Sequence, residues 1–391
     1  MPHTACEVPE TQTKAVSIFR KTTETFVSGA KTLPQRYFVS PEVFAEEQEK
    51  IFSTQWILVG HHSQIARPGD YFVAKVAGES LIVVRDKREE IHGFHNVCRH
   101  RGTRLIENKN GQLSAAIQCP YHAWTYALDG RLIGAPHMDE VPSFDKANYA
   151  LHPVSLALWK AFIFVNLADA SAQRGGYTSL EEWFAPLMGK FSRWNLPALR
   201  SAKRIEYDVR ANWKLIFENY SECYHCPGVH PELSKISPYN SAENDLTEGP
   251  FLGGFMRIAK GRSLTMSGNA CALPMEQFGE EDFRLVFYYS IFPNMLLSLH
   301  PDYVMVHQLQ PQSPERTLIL CDWFFHAEAF ERQDFNPQDA IEFWDMVNKQ
   351  DWHVCELSQQ GISSRAYEPG PYSARESIPA TWDEYYLQQM R

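Results

Sequence analysis

The sequence lacks several features that would narrow its class at once. No apolar run reaches the roughly 20 residues that a membrane-spanning helix needs, and the opening stretch MPHTACEVPETQTK has no apolar core of the secretory type. No dinucleotide-binding glycine pattern occurs, since GGYTSL and GPFLGG do not fit it. Basic residues are also scarce, with 37 Lys and Arg against 47 Asp and Glu. We therefore expect a cytoplasmic protein that binds neither a membrane nor a nucleic acid.

The 391 residues carry ordinary globular composition, with 44% hydrophobic and 21% charged residues. Short apolar or alternating runs separated by Gly and Asp-Gly, between Tyr71 and Leu167, predict a small antiparallel β domain. Residues 283–326 predict three or four antiparallel strands, and residues 336–362 predict a long amphipathic helix. The pattern favours an α+β protein that contains a β insert.

Two short motifs in the β region carry metal-binding side chains. Cys98 and His100 form C-x-H, and Cys119 and His122 form C-x2-H after a gap of eighteen residues. A structural zinc site could use this set, but common zinc patterns keep the cysteines together and the histidines together. Interleaving is what a Rieske [2Fe–2S] cluster requires, because each loop then gives one ligand to each iron.

The stretch CRHRG…CPYHAW resembles the Rieske domain of the Rieske non-haem iron oxygenases, large (α) subunit. That family often has glycine where Ala123 stands. The resemblance runs from about residue 34 to 386 and implies an α+β catalytic domain with a central antiparallel sheet and flanking helices, of the helix-grip (START-like) kind. It implies three regions: residues 1–45 as a segment packing on the catalytic domain, 46–168 as the Rieske domain and 169–391 as the domain for mononuclear non-haem iron.

The stretch ENYSECYHCPGVH resembles the family's motif for a mononuclear Fe(II), held by two histidines and a carboxylate. By position, His225 and His230 become iron ligands. Glu222 becomes the acidic bridge between His225 and His122 of a neighbouring subunit, and Asn219 a further polar neighbour of the iron. The sequence places Glu222 and His225 on one helical face and predicts that Pro227-Gly228 ends the helix, so that His230 folds back.

The third iron ligand is expected on the C-terminal helix. Asp351 precedes a Gln-x-Gly segment and resembles the family's distal aspartate, with Asp345 and Glu356 as fallbacks. Cys223 and Cys226 form a CxxC that could be a redox pair, but no second thiol cluster completes a zinc site. We interpret them as reduced thiols that pack the helix.

Glutamate at position 222, where the family more often has aspartate, resembles the branch that oxidises glycine betaine, carnitine, proline betaine and choline. The resemblance implies a homotrimeric monooxygenase supplied with electrons from NAD(P)H by a separate flavin and iron–sulfur reductase. Its expected reaction is hydroxylation of an N-methyl group with release of formaldehyde. A permanent cation needs aromatic faces, and the candidate rings are Phe217, Tyr220, Tyr289 and Tyr303, with Trp213, Phe287 and Phe292 behind them.

Three alternatives stay open on the sequence alone. An aromatic-ring hydroxylating dioxygenase would use the same two metal sites and form a cis-diol. A pure electron-transfer protein would hold only the Rieske irons. A zinc-binding interaction module would be colourless.

Overall fold

The computed structural model describes residues 6–7, 18–168, 178–273 and 279–391. The chain divides into two compact units, one formed by residues 1–10 and 48–185 and the other by residues 11–47 and 186–391. Residues 48–185 of the first unit are thus inserted between the two segments of the second unit. The domain limits inferred from the sequence stay a prediction.

The described strands form four sheets. In chain order they are β1 (Cys6–Glu7), β2 (Arg20–Lys21), β3 (Ile57–His61), β4 (Asp70–Val76), β5 (Glu79–Arg85), β6 (Ile91–His95), β7 (Asn110–Gln112), β8 (Ala116–Gln118), β9 (Thr125–Ala127), β10 (Leu132–Gly134), β11 (Ser155–Trp159), β12 (Phe162–Asn166), β13 (Leu199–Val209), β14 (Glu243–Leu246), β15 (Phe251–Arg257), β16 (Leu285–Ile291), β17 (Met295–Leu299), β18 (Val304–Ser313) and β19 (Arg316–His326).

In chain order the described α-helices are α1 (Arg36–Val39), α2 (Pro41–Glu47), α3 (Leu180–Trp183), α4 (Trp213–Tyr220), α5 (Cys226–Val229), α6 (Pro231–Ile236), α7 (Gln338–Ile362) and α8 (Ser377–Gln389). Two of them, α7 and α8, are long and lie near the C-terminus. In the part of the chain that the structure describes, none of the helices combines the length and apolar character of a membrane span.

The inserted unit is built from three small sheets. Their strand orders are β1-β11-β12-β3, β6-β5-β4-β7 and β10-β9-β8, and every pairing is antiparallel except that of β1 with β11. The loop after β6 and the loop between β8 and β9 carry the two cysteine–histidine motifs. A buried apolar cluster that includes Ile82, Phe94 and Tyr126 surrounds both cysteines.

The second unit holds one eight-stranded antiparallel sheet, in the order β13-β19-β18-β17-β16-β15-β14-β2. Residues 283–326 supply four of its strands, and the predicted helix at 336–362 is α7, so both predictions are confirmed. The apolar residues of α7 recur at helical spacing and are buried, among them Ala340, Phe343, Val347 and Cys355. The α+β class predicted from the sequence is therefore confirmed.

Candidate metal centres and substrate cavity

The two cysteine–histidine loops close in the same way. The amide of Cys98 donates to the carbonyl five residues on at 2.8 Å, and the amide of Cys119 does the same at 2.8 Å. The cysteine carbonyls accept from Gly102 at 3.0 Å and from Ala123 at 3.2 Å. Both of these residues have positive φ, +73° and +55°, so the tight loop geometry that glycine favours is adopted by alanine at position 123.

In both loops the cysteine is buried and the histidine is exposed. Cys98 and Cys119 are buried and unbridged, whereas His100 and His122 are exposed with ring centroids 4.8 Å apart. Trp124 stacks on His100 at 4.8 Å. Burial raises the pKa of the Cys98 thiol, and the neighbouring Cys119 raises it further. A pair of thiolates in an apolar cluster needs cationic compensation, so the residues fit a cluster with cysteines on its inner side and histidines on its outer side.

The second motif begins where α4 ends. The structure ends this helix at Tyr220, so the predicted end at Pro227-Gly228 is wrong. Glu222 lies in the following turn because its Oε2 accepts from the backbone amides of Tyr224 and, at 3.2 Å, His225. Pro227 and Gly228 instead sit inside the single turn of α5, where proline near the N-terminus leaves no helical hydrogen bond unmade.

The turn of α5 brings the two histidines together. His225 precedes it and His230 follows it, with the amide of His230 donating to the carbonyl of Cys226 at 2.8 Å. The Nε2 atoms of the two rings are 3.2 Å apart. Asp351 Oδ1, from α7, lies 2.8 Å from Nε2 of His230 and 3.4 Å from Nε2 of His225. The three atoms thus form a triangle with edges close to the roughly 3 Å expected for one face of an octahedron with 2.1 Å bonds.

The outer ring nitrogens determine what this triangle can bind. Nδ1 of His225 lies 2.5 Å from Glu222 Oε1, and Nδ1 of His230 lies 2.8 Å from Gln350 Oε1. Both acceptors assign the proton to Nδ1, so each neutral ring directs the lone pair of Nε2 towards the other and towards the carboxylate. Three acceptors that converge without a shared proton fit a metal cation.

The charges around this point also favour a bound cation, because with no metal present they stabilise the protonated form of His225. Burial lowers the pKa of His225, but the carboxylates of Asp351 and Glu222 raise it to about 10 overall. Burial raises the pKa of Asp351, but both histidines lower it by more, so that the pKa lies below its ordinary value. The site therefore favours a positive charge, whether a proton or a metal cation.

Cys223 and Cys226 are joined by a disulfide, so their interpretation as reduced packing thiols is wrong. The turn places their Cα atoms 4.9 Å apart, within the range that a disulfide spans. Cys226 Sγ lies 3.8 Å from Nε2 of His225 and would otherwise offer a third, sulfur ligand. The disulfide removes that thiolate and leaves the two-histidine, one-carboxylate set that suits non-haem iron rather than zinc.

The three converging groups open on a cavity of about 310 Å³, which is at the small end for ligand sites. One face of α7 supplies Trp344, Val347, Asn348, Asp351 and Trp352, at the spacing of a single helical face. Asn219, the predicted polar neighbour of the iron, also lines the cavity; its role stays a prediction.

Aromatic rings form much of the remaining wall. Tyr220 and Tyr288 are 6.1 Å apart edge to face, and Tyr288 is 6.3 Å from Trp344. His307 also lines the cavity, and burial lowers its pKa to about 4. This histidine is therefore neutral at pH 7 and adds no positive charge beside the rings.

Of the predicted substrate rings, Tyr220 lines the cavity and three others do not. Tyr289 is buried on the opposite face of β16, where its hydroxyl donates to Asp245 at 3.0 Å, because successive residues of a strand point to opposite sides. Phe217 stacks on Trp382 at 5.1 Å, and Tyr303 donates to the carbonyl of Leu264 at 2.6 Å. The prediction is wrong for these three residues, which belong to the core.

The fallback carboxylates are engaged elsewhere. Asp345 accepts from the hydroxyl of Tyr207 at 2.8 Å, and Glu356 accepts from the amide of Arg210 at 3.0 Å. Asp351 is thus the acidic residue of α7 that reaches the histidines.

Sequence reasoning missed Gln350, which contacts Nδ1 of His230, and two residues of the cavity wall. No feature of the sequence points to Gln350, because a glutamine on a helix can have many roles. The sequence does contain an indication for Tyr288, because residues two apart on a strand share a face and Ser290 is the polar residue of this otherwise apolar strand. Both Tyr288 and Ser290 line the cavity. Arg375 is far from every motif in the sequence.

Comparison with known protein families identifies the family to which this chain belongs. Residues 55–145 match the Rieske [2Fe-2S] domain, and residues 196–391 match the ring hydroxylating alpha subunit (catalytic domain). The chain belongs to the Rieske non-haem iron oxygenases and is an oxygenase large subunit. The family implies a Rieske cluster and a mononuclear iron, and the two residue sets described above fit them.

Individual relatives are similar over most of their length. The glycine betaine monooxygenase oxygenase subunit of Chromohalobacter salexigens is 32% identical over 386 residues, covering 88% of this chain and 82% of the relative. The carnitine monooxygenase oxygenase subunit of Escherichia coli is 32% identical over 346 residues, covering 86% of each. A solved quaternary ammonium Rieske monooxygenase, studied for carnitine oxidation and inter-subunit electron transfer, matches with a TM-score of 0.79, 28% identity and coverage of 95% and 100%.

Proposed function

We propose that this chain is the terminal oxygenase that hydroxylates an N-methyl group of a quaternary ammonium substrate. The observation that carries the proposal is one small cavity with the His225, His230 and Asp351 atoms at its wall and the rings of Tyr220, Tyr288 and Trp344 around it. Aromatic faces attract a permanent cation without placing a counter-charge beside the metal. The relatives named above act on glycine betaine and carnitine.

Each residue of the metal site has a proposed task. His225, His230 and Asp351 would hold mononuclear iron, and Cys98, Cys119, His100 and His122 would hold the Rieske cluster. When bound, the iron supplies dioxygen activation and the cluster supplies single electrons. Gln350 fixes the ring of His230 through Nδ1, and Glu222 does the same for His225.

We further propose that Glu222 links His225 to His122 of the partner subunit in a homotrimer. Glu222 follows α4 at a half-exposed turn, and His122 is exposed on its own loop. Electrons would come from NAD(P)H through a separate flavin and iron–sulfur reductase.

The overall reaction balances with one dioxygen and two electrons. One oxygen atom enters the methyl C–H bond and the other leaves as water, with two protons and two electrons from NADH plus a proton. The N–CH₂OH product then breaks its C–N bond, which gives formaldehyde, a tertiary amine and a proton.

The test is oxygen uptake and formaldehyde release with NADH and a surrogate reductase. The panel holds glycine betaine, carnitine, proline betaine, choline and several aromatic acids. Formaldehyde in step with oxygen for an ammonium compound supports the proposal. Oxygen uptake with a cis-diol from an aromatic acid would replace it with ring dihydroxylation, the alternative reading.

Two matched variants on α7 test the ligand assignment. Asp351→Asn should lose mononuclear iron and formaldehyde release, while Asp345→Asn should keep both, because Asp345 faces Tyr207 and Lys349. Iron per chain, measured by a colorimetric chelator, should fall from three to two in the first variant only. Full iron content in Asp351→Asn would remove Asp351 from the ligand set.

A further inference from the structure

The cavity carries two positive side chains that the proposed chemistry does not use. Lys21 and Arg375 line it together with the metal-site residues. Among the described residues that line it, the acidic ones are Glu222 and Asp351, and both belong to the metal site. The cavity wall is therefore divided between an acidic group of residues around the metal site and a basic pair.

The basic pair is one structural patch built from both ends of the chain. Lys21 lies in β2 at the edge of the large sheet, next to a turn at Thr22–Glu24 that packs on the turn at Ala374–Glu376. The hydroxyl of Thr25 donates to that of Ser377 at 3.1 Å and joins the two segments. This patch comes from elements other than α7 and the two ends of α5, where the candidate metal ligands lie.

Arg375 is held in place through its backbone and one ring. Its amide donates to Ser373 Oγ at 3.2 Å, and its guanidinium lies 5.2 Å from the centroid of the Tyr239 ring, which also lines the cavity. Across the described parts of the chain, no carboxylate pairs with this guanidinium, in contrast to Arg316, which forms two bonds of 2.7 and 2.6 Å to Asp208. A half-buried guanidinium left open towards a cavity matches a carboxylate in shape and charge.

We infer that Arg375, assisted by Lys21, binds the carboxylate of a zwitterionic substrate whose quaternary ammonium group lies among the rings beside the metal site. This inference rests on the proposed function and deepens it. It names a betaine-type substrate class, with a cation and a carboxylate in one small molecule. A plain cation such as choline leaves the guanidinium unpaired and meets its positive charge, so it binds less well.

The test is isothermal titration of the iron-loaded full-length protein with three ligands of nearly equal size. Glycine betaine carries both charges, choline only the cation, and 3,3-dimethylbutanoate only the carboxylate, since carbon replaces the nitrogen of betaine. The variants are Arg375→Met, Arg375→Lys and Lys21→Met. Arg257→Met is the matched control. Arg257 lies on β15, in the same sheet as Lys21, and pairs with Glu243, but it is not part of the cavity wall.

We expect the dissociation constant for betaine to rise about 10-fold to 100-fold in Arg375→Met, as for the loss of a charged hydrogen bond. Choline binding should stay the same or tighten slightly, because the positive charge that opposes it is removed, while 3,3-dimethylbutanoate should weaken together with betaine. Arg375→Lys should restore part of the preference for betaine. Lys21→Met should show a smaller loss in the same direction. The control should match the wild type for all three ligands.

Two results would overturn the inference in different ways. Equal weakening of betaine and choline in Arg375→Met, or equal affinity of the wild type for both, would make Arg375 a structural residue and leave the proposed function standing. Absence of binding and of oxidation for every quaternary ammonium compound in the wild type would overturn the proposed function and this inference with it.

Discussion

Replacing Glu222 by glutamine tests the link between geometry and turnover most directly. The carboxylate does two things at once: Oε1 holds Nδ1 of His225 at 2.5 Å, and Oε2 accepts from the backbone amides of Tyr224 and His225. Glutamine keeps the size and one acceptor oxygen. Its NH₂ group, however, would face backbone N–H donors, and the negative charge beside the imidazole is lost.

The size of the effect follows from these contacts. Loss of a charged partner behind a ligating histidine costs about 10-fold to 100-fold in metal affinity, or roughly 1.4 to 2.8 kcal/mol. With ferrous iron in excess, Glu222→Gln should therefore keep both metal centres. Coupled formaldehyde release should fall by about 100-fold or more, because the proposed bridge to His122 of the partner subunit also loses its charge.

The assay separates loss of iron from loss of electron transfer. The cluster is reduced beforehand, oxygen and substrate are added, and its reoxidation is followed by absorbance in a stopped-flow instrument. Reoxidation should be slow in Glu222→Gln and unchanged in Glu232→Gln, whose carboxylate pairs with Lys235 on α6. Wild-type reoxidation and coupled turnover in Glu222→Gln would refute the bridge.

Two further predictions concern stability. Ala123 has a φ of +55°, so Ala123→Gly should raise the free energy of unfolding by about 1 kcal/mol. Ala147→Gly, in the 3-10 helix Lys146–Tyr149, should instead lower it by about 0.5–1 kcal/mol. Thermal unfolding followed by cluster absorbance checks this, and a lower midpoint for Ala123→Gly would contradict it. Asp383 is buried beside Glu218, accepts from Tyr372 at 2.7 Å and has its pKa raised by burial from 3.8 to about 7. Because the folded state binds this proton more tightly, its stabilising effect is full below about pH 4 and is lost as the pH rises through 7. The unfolding free energy of the wild type minus that of Asp383→Asn should thus decline over this window, by at most about 1.4 kcal/mol per pH unit; a flat difference in denaturant titrations would contradict it.

The sequence by itself determined the features that depend on short spacing. Cys98 with His100, Cys119 with His122, and His225 with His230 each lie within five residues of one another, so local chain geometry limits where their side chains can go. The long helix at 338–362 and the four strands from 285 to 326 follow from hydrophobic periodicity, because burial of one face repeats at 3.6 or 2 residues.

The tertiary structure decided what the spacing left open. Asp351 and Gln350 reach His230 from a helix 120 residues away, and only packing of α7 selects Asp351 over Asp345. The end of α4 at Tyr220 depends on the Glu222 carboxylate, which accepts two backbone amides that a helix would otherwise use.

Packing also chose between chemically equivalent neighbours. Tyr288 and Tyr289 are identical side chains with opposite directions, and the register of β16 alone sends Tyr288 to the cavity and Tyr289 to Asp245. Lys21 and Arg375 both line this cavity although they lie near opposite ends of the chain. Such long-range placement depends on the summed burial of many core residues, and no local pattern in the sequence encodes it.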